Sequence, residues 1–237
     1  MFVDAMGEER ILSEAQVRAL LDWIGEHAAD HRSVHLLLVT VAEGPLRPSE
    51  ACSLRVRDLV LHSGGSGELA ARHQGKARAV PLHPRLAARL REWISGAGLQ
   101  ENDLLFPGPR GGRLSAATYQ RLWRQAQEAV LPHDELLSWR LGEPVDILWE
   151  SRLVQLLKLG VDVVTVAELA GVHPAWLALR YPYCFLHEAT ETDGDCSARA
   201  ASFPESTARY ARPAQADPRS TAARIPRSAY VPSPTAS

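Results

Sequence analysis

Apolar positions in the first part of the chain recur with the 3.6-residue period of helices. Val17, Leu20, Leu21 and Ile24 share one face behind Ser13, which reads as an N-cap with Gln16 three residues on. A more apolar run predicts a second helix over residues 33–42, ended by Gly44 and Pro45. Pro48 stands at a first helical position, and Ala51, Leu54 and the residues after them predict a third helix. The pattern then changes: residues 59–61, 68–72 and 77–82 are short apolar stretches broken by GGSG and QG, which predicts a small antiparallel sheet. Helical spacing returns over 84–94, where Leu86, Leu90, Trp93 and Ile94 fall on one face, and over 119–130 after the turn PGPRGG. Two more helices are predicted at 147–159, stopped by Gly160, and at 163–169, stopped by Gly171. Helices, a small sheet and helices again give a mostly α fold with a small antiparallel β-sheet, of the α+β class.

Composition divides the chain. Residues 188–237 hold 12 Ala, 7 Ser and 6 Pro, with Ile225 and Val231 their only aliphatics larger than Ala, so they cannot make a core. The reading is one domain over 1–187 and a disordered Ala/Ser/Pro/Arg tail over 188–237. The tail's six Arg and six acids cancel, and the 237-residue chain carries a net charge of −2, so any face that meets nucleic acid must be local. Cys52, Cys184 and Cys196 are few and scattered, which excludes a disulfide framework or a CxxC zinc site. MFVDAMGEERILSEAQ is acidic where a secretory leader would be basic and apolar, and no run reaches the ~20 apolar residues of a membrane span. A cytoplasmic protein without a membrane partner is the expectation.

Several residue patterns suggest chemistry. Arg47 precedes a helix start, a good place to meet an anion, although an ordinary surface arginine beside a turn explains it as well. His27, His31 and His35 are spaced i, i+4, i+8 but lack a carboxylate partner and cross a loop near Asp30, which makes them a solvated face and no metal site. GGSG and PGPRGG lack the GxxxxGK[ST] arrangement and are turns. Ser49 and Ser115 have no His and Asp at a telling spacing.

Taken in order, LRPSEACSLRVRDL, GKARAVPLHPRLAARLREWI, LLFPGPRGGRLSAATYQRLWRQA, LLKLGVDVVTVAELAG and ALRY resemble the catalytic domain of tyrosine recombinases, the phage integrase family, in its actinobacterial form. The resemblance covers residues 12–186 and implies a DNA breaking-rejoining fold. It also implies a chemistry in which a tyrosine attacks a phosphodiester with no metal or nucleotide cofactor, and double-stranded DNA as partner, with self-association or a partner recombinase. In that chemistry two arginines and a histidine neutralise the phosphate and a hairpin lysine protonates the leaving oxygen.

By this resemblance Arg47 is the first arginine and Tyr181, ten residues after Gly171, the nucleophile. Lys76 is the hairpin lysine, or else the family position falls on Ala70 or Ala71. The HxLRH segment is replaced by EPVDILWES, where Asp146, Leu148, Trp149 and Glu150 stand near the H, L, R and H positions under a one-residue ambiguity. Either register lacks a basic residue there, which leaves Arg152 as a displaced second arginine. His133 is 27 residues before Gly160, too far without an insertion. The family histidine is Val172, with His173 adjacent as substitute. Loss of one preorganised donor costs about 10²–10³ in rate, so two losses imply impaired or absent cleavage. Three roles are open at this point: an active recombinase, a module that binds DNA or a recombinase without cutting, and a remnant of an integrase. On this resemblance the expectation is a catalytic domain without the family's N-terminal helical domain, and hence weak DNA binding.

Overall fold

A computed structural model describes residues 7–27, 31–73, 75–132 and 143–185. Helix α1 (Glu14–His27) opens on Ser13, whose hydroxyl accepts from Gln16 N while Gln16 Oε1 accepts from Ser13 N, a capping box. It buries Leu20, Leu21 and Ile24. Helix α2 (Arg32–Glu43) is apolar on nearly every side and runs through the centre, with Leu37, Leu38 and Val41 fully enclosed. Each such side chain contributes about 1.5–3 kcal/mol by leaving water.

Helix α3 is shorter than its sequence predicts. It spans only Pro48–Ala51, because Ser53 Oγ donates to the Glu50 carbonyl at 2.7 Å and Leu54 is already committed elsewhere. Leu105 N donates to the Leu54 carbonyl at 2.8 Å, Val56 N donates to the Asp103 carbonyl at 3.0 Å, and Arg55 pairs with Leu104. That extended pairing outcompetes a second helical turn.

The sheet is the three-stranded antiparallel one expected, ordered β1 (Leu59–Leu61), β2 (Gly67–His73) and β3 (Lys76–Leu82). Leu69 faces Val80, Ala71 faces Arg78 and His73 faces Lys76. These pairs lie on one face, since alternate residues of a strand point the same way. The face begins apolar at Leu69, Val80 and Leu82, and becomes basic at Arg78, His73 and Lys76.

Helices α4 (Pro84–Ala97) and α5 (Ala116–Val130) follow, the first with Pro84 at its start and Gly98 in the left-handed conformation at its end. Helix α6 (Asp146–Lys158) packs on α2 and buries Leu148, Trp149, Leu153 and Val154. Helix α7 (Val163–Ala170) is capped by Asp162, which accepts from Val164 N and Thr165 N, and rests on β3. A further helix, α8 (Pro174–Arg180), was not anticipated from the sequence. Its seven residues are too few to show a period.

The histidine triplet is not a uniform solvated face. His27 stacks on Trp23 with ring centroids 4.5 Å apart, and His35 is half-buried against Gly25, where a Cβ would come within 2.9 Å of its ring. Burial, and then the charge of Arg89, lower the His35 pKa. Among the described residues no cluster of three or more His, Cys, Asp and Glu could hold a metal, and no helix is long and apolar enough to cross a membrane. His133, Cys196 and residues 188–237 lie outside the described residues.

Candidate active site

The site begins at the one-turn helix α3. Glu50 is almost wholly buried and accepts from Arg47 N at 2.8 Å, which fixes the turn carrying the Arg47 side chain. A buried carboxylate needs paired charge and hydrogen bonds. Arg78 of β3 supplies both, donating Nη1 to Glu50 Oε1 at 2.6 Å and Nη2 to Oε2 at 2.8 Å. The same guanidinium donates Nε to the Leu169 carbonyl at the end of α7, at 2.7 Å, and Nη2 to the Pro45 carbonyl at 3.3 Å. Gly171 closes α7 with φ +67°, and a Cβ there would stand 3.0 Å from Arg78 Nη1. Glycine therefore serves two needs, the left-handed cap and the approach of Arg78. His73 completes this group, with Nδ1 3.8 Å from Glu50 Oε1.

Helix α6 brings the second half. The Arg47 guanidinium carbon lies 4.0 Å from the centroid of the Trp149 ring, a cation–π contact. Trp149 is buried, and neither its Nε1–H nor the buried Nε–H of Arg47 meets an acceptor among the described residues. Trp176 of α8 packs against Trp149 with centroids 5.9 Å apart and meets the Tyr181 ring edge-on at 5.9 Å. Tyr181 is fully buried, and its hydroxyl donates to Glu150 Oε2 at 3.0 Å. Arg180 Nη2 sits 3.3 Å from the same oxygen. Burial first, and the Glu150 carboxylate second, push the Tyr181 pKa well above that of an ordinary tyrosine, so the phenol is held protonated.

Arg47 and Tyr181 are thus joined in one cluster through Trp149 and Trp176. Lys76 lies exposed at the hairpin end. Ala71, one of the alternatives for its position, is buried in the sheet. Arg152 donates Nη1 to Gln155 at 2.6 Å, and its charge acts on Glu43 at the end of α2, whose carboxyl pKa is raised chiefly by burial. His173 is exposed and caps α8, its Nδ1 accepting from Ala175 N at 3.2 Å.

Sequence reasoning missed His73, Arg78 and the role of Glu50. The signal was the strand alternation: across the QG break in the sequence, positions 71, 73, 76 and 78 of two paired strands share a face. The sequence places Glu150 only near a family histidine position, and its bond to Tyr181 depends on how α8 returns across α6.

A model of the phage integrase family matches residues 10–136, more than half of the chain. The chain belongs to that family. A tyrosine recombinase XerC of Xanthomonas axonopodis pv. citri (strain 306) is 40% identical over 145 residues, covering 57% of this chain and 41% of the relative. Another XerC, from Xanthomonas campestris pv. campestris (strain B100), is 41% identical over 80 residues, 32% of this chain and 23% of that one. The chain therefore spans less than half the length of these relatives. Among solved structures, a XerH recombinase bound to palindromic difH in a post-cleavage complex superposes with a TM-score of 0.63 at 22% identity, over 76% of this chain and 52% of that one. The catalytic domain of bacteriophage HP1 integrase gives 0.52 at 17% identity, over 77% of this chain and 94% of the other. The fold is that of tyrosine recombinase catalytic domains. The family match ends before Trp149, Glu150 and Tyr181, so their reading rests on the geometry.

Proposed function

We propose that this phage integrase family protein acts on duplex DNA in integration and recombination, and that strand cleavage is impaired in the form described. The observation that carries this reading is the pairing of Tyr181 with Glu150 beside the Arg47–Trp149 contact. Cleavage requires the tyrosine oxygen to bond to phosphorus and lose its proton while the bond to the leaving sugar oxygen breaks and that oxygen gains one. Negative charge grows on the phosphate and must be met by donors already in place.

Arg47 can offer one such contact. Trp149 puts a neutral ring where the resemblance expects a second arginine, and Glu150 opposes an approaching phosphate while engaging the nucleophile's hydroxyl. Val172 has no hydrogen bond to give. Lys76, Arg152 and His173 remain candidates for the missing donors in this reading, although His173 would have to leave its capping bond. The similarity to a XerC tyrosine recombinase and to a XerH recombinase bound to its difH substrate supports duplex DNA as the partner. With a near-neutral chain, binding is expected in the non-specific range of ~10⁻⁴–10⁻⁶ M at physiological salt.

The test is covalent trapping on nicked suicide duplexes. The unmodified protein should give no adduct within hours, and Trp149→Arg combined with Val172→His should restore some. Tyr181-dependent adducts from the unmodified protein would refute impaired cleavage and direct attention to Arg152 and His173.

A further inference from the structure

The loop between Phe106 and Leu114 is built to hold one arginine still. Gly108 N donates to the Gly112 carbonyl at 2.7 Å and Gly111 N to the Gly108 carbonyl at 2.9 Å, with Gly111 at φ +79°. Pro107 and Arg113 pair across the loop, and Ser33 Oγ of α2 donates to the Pro107 carbonyl at 2.7 Å. A Cβ on Gly108 would lie 3.3 Å from the Gly112 carbonyl oxygen, so the turn is closed tightly on itself. Its product is the placement of Arg113, which donates Nη2 to the carbonyl of Ser49 in α3 at 3.0 Å, two residues after Arg47 at the start of that helix. The side chain is exposed, and its remaining N–H groups are available to a ligand. Neither Arg47 nor any residue of α6 is needed to hold it.

The geometry points to Arg113 as a phosphate-binding residue that supplies, from the 107–113 loop, a second fixed cation beside Arg47 on the DNA face. This rests on the reading of duplex DNA as the partner and adds the residue that recognises its backbone. An arginine with one nitrogen already tethered loses less freedom on meeting a phosphate than a free surface arginine, and its planar fork suits the phosphate oxygens. Asp146 at the start of α6 is the opposing charge in this neighbourhood. Both Asp146 and Arg113 act on the Tyr119 hydroxyl, in opposite directions.

Arg113→Gln removes the charge and the planar fork, and Arg113→Lys keeps the charge alone. Affinity of the full chain for a duplex of arbitrary sequence is measured against salt concentration for Arg113→Gln, for Arg113→Lys, and for Arg18→Ala as a charge control on the outer face of α1. Arg113→Gln should bind about tenfold more weakly at low salt, with the slope of log K against log salt reduced by about 0.9, while Arg113→Lys should retain most of the slope. Arg18→Ala should match the unmodified protein. Equal slopes for Arg113→Gln and Arg18→Ala would overturn the assignment and leave the DNA reading standing. No duplex binding by the unmodified chain at low salt would remove the DNA reading, and this assignment with it. Circular dichroism melts confirm that each variant is folded when it is measured.

Discussion

The hydroxyl of Tyr181 donates to Glu150 Oε2 at 3.0 Å, so the residue expected to attack DNA is hydrogen-bonded to an anion of its own protein. Its pKa lies above the ordinary tyrosine value of about 10, with burial the larger cause and the Glu150 charge the next. A phenol whose folded pKa is raised contributes stability that is complete below the unfolded pKa and is lost as pH rises toward the folded one. Thermal midpoints measured from pH 9 to 11.5 should therefore fall for the unmodified protein more steeply than for Tyr181→Phe. Parallel curves would show that the phenol is not held in this way.

Trp149 sits between Arg47 and Trp176, and its removal should leave a cavity in the middle of the site. Trp149→Ala is expected to cost about 3–5 kcal/mol in urea unfolding. A double-mutant cycle with Arg47→Ala should return a coupling of about 0.5–2 kcal/mol for the cation–π contact. A coupling of zero would mean that the stacked arrangement is absent in solution.

Gly171→Ala should destabilise by about 1–2 kcal/mol from the left-handed backbone alone, and by more because the new methyl group meets a pinned guanidinium. The excess should disappear in the background of Arg78→Ala. That background is itself costly, since it strands the buried Glu50 carboxylate, by about 3–5 kcal/mol. If Gly171→Ala costs the same with and without Arg78, the close approach is wrong.

Asp162 caps α7 through two backbone N–H groups, and its pKa is lowered, first by the Thr165 hydroxyl and then by the Thr165 backbone N–H. Asp162→Ala should cost about 1 kcal/mol at neutral pH. Because the folded pKa is depressed, that contribution is present above the unfolded value of about 3.9 and is lost as pH falls through the folded one. The difference between the two proteins should accordingly shrink in acid. A gap that persists at pH 2 would assign the effect to something other than the ionised cap.

Much of the architecture is legible in the sequence because its signals are local. The Ser13 box, Pro48, and the glycines at 160 and 171 mark helix ends by chemistry that acts within one turn. Helix α3 defeats that reading because what ends it is remote: residues 103–105 claim the backbone of 54–56. Of the candidate site, the resemblance points to Arg47 and Tyr181, while their connection through Trp149 and Trp176 has no signal in the sequence. That connection depends on α8, whose seven residues carry no period, folding back over α6. Glu150 shows the same limit. Its charge is visible in the sequence, while its partner, 31 positions away, is not.

The Arg78 side chain has one more consequence, for how the molecule opens. It is bonded at once to the turn before α3 through Pro45, to α3 itself through Glu50, and to the end of α7 through Leu169, while its backbone belongs to the hairpin. None of these segments can come away from the others without breaking a charge-assisted bond in a nearly dry setting. They form one cooperative unit, and their slowest amide protons should exchange with a shared opening free energy, higher than that of α8 or the hairpin tip.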